Sequence, residues 1–427
     1  MDNQSNVDQE KVDTPPADTT ATVQHSGAEE SNFEDFSKAT QDIASDSNIL
    51  ERFSKVLEAC GVVGETIIGQ LCYLVLTSRF LPRPVSLAVK GPSSGGKSYI
   101  TEQVLRFFPE SAYYSLTAMS ERALAYSEED LRHRFLVLFE AESLKGDMAS
   151  YLMRSLLSEG RIRYETVVST NTGLRPQLIE REGPTGLLVT TTATSLHPEN
   201  ETRFLSVTVQ DTPEQTKEIM KLMALDKRPT LDLAEWASFQ EWLGGAKRRV
   251  TIPYALTIAE LSTPAGVRLR RDFQLLMNLI KANAILHQLS REYDKDGRIV
   301  ANLDDYRTVH RLVAGIISEG LGVVVSRTVR ETVNAVVEEP SEDCSMYTYT
   351  SLATVRKNLG IDKSSASRRV RQAIKAGYLI NEEATRGKPM RLRIGDPMPE
   401  EVQVLPTPEQ LEKAIGERDK DPTAVWM

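Results

Sequence analysis

The segment KGPSSGGKSYI, residues 90–100, constrains the fold of this chain more than any other stretch. It contains Gly-x-x-x-x-Gly-Lys-Ser from Gly91 to Ser98, the spacing of a phosphate-binding loop. Apolar residues over 84–90 predict a buried strand before the loop, and their helical spacing over 99–108 predicts a helix after it. Because such a loop requires this strand–turn–helix context, we predict that the chain binds a nucleoside triphosphate. A Ser/Gly-rich surface turn is the alternative.

Each part of the loop has a predicted task. The glycine-rich turn directs N–H groups at phosphate oxygens, and the following helix adds the free N–H groups and positive dipole end of its first turn. We expect Lys97 to act in catalysis at the β- and γ-phosphates, and the Ser98 hydroxyl to ligate Mg²⁺. The predicted nucleotide-binding residues of the loop are Gly91, Pro92, Ser93, Ser94, Gly95, Gly96, Lys97 and Ser98.

An acidic residue at the end of a second apolar run is the next candidate for a catalytic role. The run RFLVLF over 134–139 predicts a buried strand, and Glu140 follows it directly. A carboxylate there can hold Mg²⁺ and orient the attacking water, so Glu140 is the predicted catalytic residue and second metal ligand. In ATPases the strand of this element commonly ends in Asp-Glu, whereas this chain has Phe139 at the position of the Asp. Glu142 is a helper or a bystander, and a buried strand that ends at a solvated acidic turn is the alternative.

A hairpin and a further strand are predicted beyond a helix at 148–158. Two alternating runs around a turn at 170–173 predict a β-hairpin that carries several arginines and stands out from the sheet. The run over 186–192 then predicts a buried strand that ends in hydroxyls. A polar side chain at that end could meet the γ-phosphate, which makes Thr191 a nucleotide-binding candidate. Thr191 and Thr192 could equally be ordinary β-branched strand residues.

Two arginines further along the chain are candidates for work at a nucleotide. Arg203 lies in a polar turn before a strand, and Arg271 lies at the start of a long apolar helix. An exposed arginine is usually a solvated charge, but in an oligomeric ATPase it can stabilise the neighbour's γ-phosphate, an effect worth roughly 10³ to 10⁵ in rate. Pairing of Arg270 and Arg271 with nearby acids is the alternative for the second position.

The net charge of −9 divides unevenly along the chain. Residues 1–45 contain ten acidic and two basic residues and few apolar ones, which predicts a disordered acidic tail. A second acidic tail, 396–427, has eight acidic and three basic residues, so the part between the tails is mildly basic. The three cysteines are too far apart for a disulfide framework or a zinc cluster, and the most apolar stretch, 62–76, is interrupted by Glu65 and Gln70. With no secretory signal at the start, we expect a cytoplasmic protein that does not enter a membrane.

Residues 345–395 predict a winged-helix unit. A helix over 350–360 and a capped helix over 363–377 each end in glycine, and two strands follow around a polar turn at 386–389. Between residues 363 and 393 there are nine basic and two acidic residues, a charge that suits nucleic-acid phosphates. Protein interaction is the alternative use of such a unit. The predicted DNA contacts are Ser365, Arg368, Arg369, Arg371, Arg386 and Lys388.

These elements, in this order, resemble an AAA+ ATPase. Within that class they are similar to the minichromosome-maintenance-like helicases and to the primase/helicase ATPases of phages and mobile elements. The turn at 202–204 resembles the Ser-Arg-Phe turn that carries an arginine finger in those families, and the segment 271–273 resembles a lid arginine before a long helix. The resemblance implies that Arg203 is catalytic from a neighbouring subunit and that Arg271 binds nucleotide.

The resemblance also implies contact between the hairpin and DNA. In those families a hairpin before the hydroxyl-tipped strand meets single-stranded DNA in a central channel. Arg163 and Arg175 are the hairpin residues that we predict for this contact. They complete the set of candidate DNA-binding residues.

The predicted architecture is α/β, with an AAA+ P-loop core at 46–212, a helical lid at 213–340 and the winged-helix unit, between the two acidic tails. The predicted function is that of an ATP-dependent DNA motor, a ring-shaped replicative helicase or translocase of a phage or mobile element. ATP and Mg²⁺ are its predicted cofactors, and DNA and other copies of the chain, as a hexamer, its predicted partners. A DNA-binding ATP switch without processive unwinding is the alternative. A small-molecule phosphotransferase shares the loop but explains neither the lid nor the basic C-terminal unit.

Overall fold

Strands and helices alternate in the first half of the chain, and helices dominate the second half. The computed structural model describes residues 36–120, 123–127, 129–140, 146–170, 173–193, 201–225, 231–321, 325–336, 349–383, 385, 388–398 and 403–420. Its strands are β1 (Ser86–Lys90), β2 (Tyr113–Leu116), β3 (Arg134–Phe139), β4 (Arg161–Thr170), β5 (Gly173–Glu182), β6 (Thr185–Thr191), β7 (Phe204–Thr208), β8 (Val250–Thr251), β9 (Ile299–Val300), β10 (Leu379–Asn381) and β11 (Leu392–Ile394).

The helices of the same residues frame these strands. They are α1 (Lys38–Ala44), α2 (Ile49–Ala59), α3 (Thr66–Thr77), α4 (Lys97–Leu105), α5 (Ala123–Tyr126), α6 (Asp147–Glu159), α7 (Pro213–Ala224), α8 (Ala234–Gly245), α9 (Ala255–Leu261), α10 (Leu269–Leu286), α11 (Leu303–Gly320), α12 (Arg327–Asn334), α13 (Leu352–Leu359), α14 (Lys363–Lys375) and α15 (Pro408–Lys420).

A five-stranded parallel sheet occupies the centre, in the order β2-β3-β6-β1-β7. Every residue of β1 and of β6 is buried. Strands of parallel sheets are buried on both faces because the crossover helices cover them, which is why these segments are continuous apolar runs in the sequence. The predicted α/β class is confirmed at the level of a central parallel sheet.

Aromatic side chains join helices from both halves of the chain. Phe53 of α2, Tyr73 of α3, Phe107 after α4 and Trp236 of α8 pack with ring centroids 4.5 to 6.4 Å apart. Full burial of a large apolar side chain contributes about 1.5–3 kcal/mol. Because α8 follows the sheet in sequence while α2 and α3 precede it, this cluster ties the two helical regions together.

The hairpin stands outside the central sheet, as the sequence predicts. β4 and β5 pair in antiparallel register over ten residue pairs, from Arg161 with Glu182 to Thr170 with Gly173. Ile162 is fully buried near the first pair, against the core below the sheet. The hairpin is therefore anchored at one end.

The C-terminal unit, which we define as α12 to β11, contains the predicted order of helix, helix, strand and strand. β10 and β11 are antiparallel, and Val355 of α13 and Val370 of α14 share one core. Val329 and Val333 of α12 belong to the same core. These two valines are four residues apart and so lie on one helix face. The sequence analysis assigned residues up to 340 to the lid, whereas α12 packs with the C-terminal unit.

Part of the predicted disordered N-terminal tail is folded. Residues 1–35 lie outside the described residues, but α1 falls within the predicted tail and packs against α8. Ile43 of α1 is 2% exposed, and Glu235 of α8 accepts hydrogen bonds from the hydroxyls of Ser37 and Thr40. Phe36, Ile43 and Ala44 lie close together at the end of this segment, so a composition taken over the whole tail misses them.

The predicted acidic C-terminal tail contains a packed segment as well. α15 contacts α9 and α11, and Leu405 and Leu411 are buried in the main core. The Tyr306 hydroxyl of α11 donates a hydrogen bond of 2.6 Å to the Pro406 carbonyl. Acidic side chains cover the outer face of α15 while its apolar positions face inward. No helix in the described part of the chain is long and apolar enough to cross a membrane.

The buried ring of His287 makes the stability of this fold depend on pH. Its Nδ1 donates to the Asn283 carbonyl at 3.0 Å, which leaves Nε2 to accept the Ile49 N–H of α2 at 3.4 Å. Burial lowers the pKa of His287 from its ordinary value of 6.5. The folded state therefore binds this proton less readily than the unfolded state, so stability is present at neutral pH and is lost as the pH falls below the ordinary pKa.

We expect the thermal unfolding midpoint to decrease when the pH is lowered from about 7.5 to about 5.5, and this decrease to be smaller in His287→Gln. His310→Gln is the matched control, because burial also lowers the pKa of His310 but its side chain is only half-buried. An unchanged pH dependence in His287→Gln would show that other groups control acid stability.

Candidate nucleotide-binding site

The phosphate-binding loop lies between the end of β1 and the start of α4. Gly96 has a φ of +82° and Ser94 a φ of +62°, both in the left-handed region. Glycine enters this region without steric cost, so Gly96 lets the chain turn directly into α4, whose first N–H groups have no partner within the helix. Gly91 meets a separate need, because a Cβ there would lie 2.3 Å from Val209 Cγ2.

Lys97 folds back over the loop from the first position of α4. Its Nζ donates a hydrogen bond of 2.6 Å to the Pro92 carbonyl, and the residue is 8% exposed. Burial lowers the pKa of Lys97, the positive charge of Arg368 lowers it further, and the carboxylate of Glu140 opposes both. A phosphate group at the loop would offer a stronger, charged partner than the carbonyl and favour the ammonium form.

Glu140 lies at the same edge of the sheet as the loop. Its N–H donates to Thr190 Oγ1 at 3.1 Å, across the β3–β6 pairing of Phe139 with Thr190. Glu140 has a φ of +77°, a conformation that costs a non-glycine residue about 1–2 kcal/mol and that clusters at functional sites. Phe139, where aspartate is common, packs against the main core. Glu142 is outside the described residues.

A cavity of about 1020 Å³ adjoins the loop and brings in residues that the sequence analysis missed. Glu65, only 4% exposed, accepts hydrogen bonds from the Gln210 N–H at 2.5 Å and from Gln215 Nε2 at 3.2 Å, and burial raises its pKa. Asp211 also lines the cavity. These residues come from the start of α3 and from the segment between β7 and α7, and no motif marks them in the sequence.

The same cavity has an apolar side. Val62 and Val63 before α3 face Ile219, Leu222 and Met223 of α7 across the space beside the loop. Within α7, whose residues are all described, none is buried, and these three apolar side chains line the cavity. A pocket with an apolar wall and a few polar groups fits a ligand with a flat base at one end and phosphates at the other.

Hard oxygen donors for a cation are present at the loop. Ser98 lines the cavity, and the Glu140 carboxylate is near enough to Lys97 to act on its pKa. A hydroxyl, a carboxylate, phosphate oxygens and water form the ligand set that Mg²⁺ prefers. Among the described residues, no group of three or more His, Cys, Asp or Glu side chains could hold a metal ion without such help.

The two threonines at the end of β6 have different surroundings. Thr191 is 3% exposed, and its hydroxyl accepts the Ala193 N–H at 3.0 Å. Thr192 is exposed and lines a second cavity, described below. Thr190, which the sequence analysis did not single out, is the residue of β6 that contacts Glu140. Thr191 stays a predicted nucleotide contact.

Arg203 and Arg271 lie next to each other, and neither lines the cavity beside the loop. Arg203 Nε donates to Ser158 Oγ at 2.8 Å, and Arg271 Nη1 donates to Thr202 Oγ1 at 2.6 Å. Partial burial lowers the pKa of Arg203, and the positive charges of Arg271 and Arg154 lower it further. Three arginines thus form a positive cluster that is separate from the phosphate loop of the same chain.

The hairpin arginines are on the surface. Arg163 Nε pairs with Glu180 Oε1 at 2.7 Å, and the two side chains are 53% and 50% exposed. An exposed pair of this kind contributes about 0–1 kcal/mol, so it leaves Arg163 available to another anion. Arg175 is exposed as well.

The predicted DNA contacts of the C-terminal unit divide into two groups. Arg371 and Lys388 are exposed, and Arg386 lies outside the described residues. Ser365 is 1% exposed and Arg369 is 4% exposed, so both are buried, contrary to the surface role predicted for them.

Arg368 and Arg369 are turned toward the part of the chain that contains the parallel sheet. Both bind the carboxylate of Asp211: Arg368 Nη2 lies 3.1 Å from Oδ2, and Arg369 Nη2 contacts Oδ1. Arg369 also pairs with Glu331 at 3.1 Å. A docking contact between the C-terminal unit and the sheet therefore uses side chains that the sequence analysis assigned to DNA.

Comparison with known proteins finds similarity among solved structures. No family model matches the chain, and no curated protein matches it. Among solved structures, a full-length MCM homolog from Methanopyrus kandleri is similar over 64% of this chain and 60% of its own length, at 12% sequence identity and a TM-score of 0.43. The matched part is thus less than two thirds of that protein.

The left-handed conformation of Gly96 gives a test that needs no ligand. Nothing lies within 4 Å of a Cβ built on Gly96, so Gly96→Ala should cost only backbone strain, about 1–2 kcal/mol of unfolding free energy. The control is Gly315→Ala in α11, which is equally uncrowded but has no positive φ and should stabilise the protein by about 0.5–1 kcal/mol. Denaturant unfolding measures the free energy of unfolding of both variants. Changes of the same sign in the two variants would contradict the left-handed conformation of Gly96.

Proposed function

We propose that this protein is an ATP-hydrolysing DNA motor of the AAA+ type, a helicase or translocase. The observation that carries the proposal is that the loop with Lys97 and the residue Glu140 leave the parallel sheet at one edge, where β1 and β3 both pair with β6, and that the loop lines a cavity large enough for a nucleotide. Ligands of open α/β sheets bind outside the carboxyl ends of the strands, and both residues are at those ends. Its setting in the replication of a phage or mobile element comes from the sequence resemblance alone.

The residues of the site divide the chemistry between them. Loop N–H groups and the start of α4 bind the phosphates, while Lys97 leaves the Pro92 carbonyl for the β- and γ-phosphates. Glu140, held by Thr190, orients the attacking water. Ser98 and Glu140 are the residues that would hold Mg²⁺, which when bound neutralises charge on the transferred phosphoryl group.

Assembly into a ring would complete the site. Arg203 and Arg271 form a cluster away from their own loop, and a neighbouring copy could receive them at its γ-phosphate. An arginine supplied in this way stabilises the charge of the transition state. We propose a hexamer that binds nucleotide between its subunits, with the arginine cluster at the interface. Within each subunit, the helices α8 to α11 form the helical lid.

Contact with DNA is proposed for two surfaces. One is the hairpin with Arg163 and Arg175, and the other is the winged-helix unit with the exposed residues Arg371 and Lys388. Basic side chains on exposed elements bind phosphates without reading sequence. A motor needs such sequence-independent contacts because every step along DNA meets a different base.

A second candidate function is a DNA-binding ATP switch that does not unwind processively. Asp362, Ser364 and Ser365 of α14 line the nucleotide cavity, so a nucleotide would touch the C-terminal unit directly. A loader or regulator would use this contact to change its grip on DNA. Strand displacement distinguishes the two functions, because a switch shows nucleotide-dependent binding without it.

ATP hydrolysis by the wild type and by Lys97→Ala, with and without single-stranded DNA, tests the proposal. We expect turnover that DNA stimulates, and a loss of about 10²-fold or more in Lys97→Ala because a charge-stabilising donor is removed. Arg132→Ala is the control, since Arg132 is exposed and pairs only locally with Asp130 at 2.8 Å. Wild-type protein without turnover in either condition would rule out the motor.

Mixing two inactive variants tests whether Arg203 acts between subunits. Lys97→Ala and Arg203→Ala should each lack activity, and a mixture should regain part of it because some interfaces combine an intact Lys97 with an intact Arg203. Light scattering reports the size of the assembly in the same samples. A mixture that stays as inactive as its parts would place Arg203 in its own subunit's chemistry or outside the reaction.

The hairpin gives a prediction about salt. In Arg163→Ala combined with Arg175→Ala, affinity for single-stranded DNA should fall, and the slope of log affinity against log salt should decrease by about 1.4, or about 0.7 per lost phosphate contact. Fluorescence anisotropy at several salt concentrations measures the slope, with Arg132→Ala as the control. An unchanged slope would exclude the hairpin arginines from DNA contact.

A further inference from the structure

The start of α14 forms part of the wall of the nucleotide cavity, although α14 belongs to the C-terminal unit. Asp362, Ser364 and Ser365 line that cavity together with the phosphate loop. Asp362 caps α14 by accepting the N–H groups of Ser364 and Ser365, which fixes the end of the helix at this place. The next turn of α14 carries Arg368, whose guanidinium contacts Asp211 in the wall of the same cavity.

Asp211 holds two guanidinium groups at this contact. Arg369 has a second acidic partner, Glu331, and its side chain is 5% exposed, so it is fixed on both sides. Arg368 pairs with Asp211 at 3.1 Å and lacks such a second acidic partner in the described part of the chain, while the buried Nε atoms of both arginines have no hydrogen-bond partner. Two positive charges thus share one carboxylate, and Arg368 is the less firmly held of the two.

Arg368 lines a second cavity, of about 910 Å³. Ser364 lines both cavities, and Arg368 reaches the edge of the first one through its contact with Asp211. The basic residues of the second lining are Lys363, Arg368, Arg371 and Lys375, and none of the lining residues that the structure describes is acidic. The positive charge of Arg368 also reaches Lys97, whose pKa it lowers. Arg368 and Arg369 thus share one carboxylate close to Lys97, and an anion would relieve the repulsion among these charges.

We propose that Arg368 binds the terminal phosphate of a nucleoside triphosphate held by the loop of its own chain, exchanging Asp211 for that phosphate. Asp211 then stays paired with Arg369, so the exchange leaves no carboxylate buried without a partner. A bidentate guanidinium–phosphate contact is charge-assisted on both sides and also satisfies donors that the present pairing leaves unused. This inference rests on the proposed nucleotide binding, and it adds a residue of the C-terminal unit to that site.

The exchange would make the C-terminal unit sensitive to the state of the nucleotide. A triphosphate reaches Arg368 through its terminal phosphate, whereas a diphosphate ends one phosphate earlier and leaves Arg368 on Asp211. Arg368 therefore discriminates between the two nucleotides from within one subunit, unlike Arg203, which we place at the neighbour's site.

Affinity of the full chain for a non-hydrolysable ATP analogue and for ADP, each with Mg²⁺, tests the proposal by calorimetry. In Arg368→Ala we expect binding of the analogue to weaken by about tenfold or more, and binding of ADP to change by less than about twofold, because only one of the ligands has the phosphate concerned. Arg356→Ala on α13 is the matched control, an exposed arginine of the same unit that lines neither cavity.

The other outcomes are separable. Equal weakening of the binding of both ligands in Arg368→Ala would mean that Arg368 has a structural role. Arg368→Lys keeps the positive charge in place, so it should recover part of the affinity for the analogue if the phosphate is the partner of Arg368. Unchanged affinity for the analogue in Arg368→Ala would overturn the proposal. So would a loss of affinity for an oligonucleotide alone, measured without nucleotide, because that result would assign Arg368 to DNA. Wild-type protein that binds neither ligand would overturn the proposed function itself.

Discussion

The parallel pairing of β6 with both β1 and β3 is the constraint on which the candidate site depends. Its register sets Lys90 opposite Thr191 and Phe139 opposite Thr190, so the last residues of β1 and β3 reach the same edge. The phosphate loop and Glu140 leave the sheet there. Because β6 is buried along its whole length, a shift by one residue would move every buried side chain to the opposite face.

Three basic side chains lie at this edge, beside the acidic residues Glu65, Asp211 and Asp362 of the cavity lining. Lys97 has a backbone carbonyl as its hydrogen-bond partner, and two arginines of α14 share Asp211. Like charges brought together cost free energy, and a polyphosphate would offset that cost on binding. The separate cluster of Arg203 with Arg271 follows the same rule at another place on the surface.

Local signals were enough to predict the elements of the site. The glycine spacing of the loop and the apolar run before Glu140 each describe a short segment, and short segments fold much as their pattern dictates. The same holds for α14, whose cap Asp362 and whose amphipathic pattern are visible in the sequence. The hairpin followed from alternation around a turn.

Contacts between distant segments could not be predicted in this way. Asp211 and Arg368 are 157 residues apart, and neither position has a motif. Periodicity shows that one face of α14 is basic, but not that this face meets Asp211 rather than solvent. The folded parts of the two tails were missed for a related reason, since Ile43 and Leu411 find their partners only in the completed core.

The hairpin is long relative to its anchorage. Ile162 and Ile179 are buried near its base, whereas Val167 and Leu174 are 62% and 75% exposed further out. Ten paired residues at about 3.3 Å each give an arm of about 30 Å. α6, which follows β3 and Glu140, packs against β4 at the base. A tilt of the hairpin by about 10° at its base would move its far end by about 5 Å. A small rotation at the base would therefore displace the far end by more than the rise of one residue along a strand.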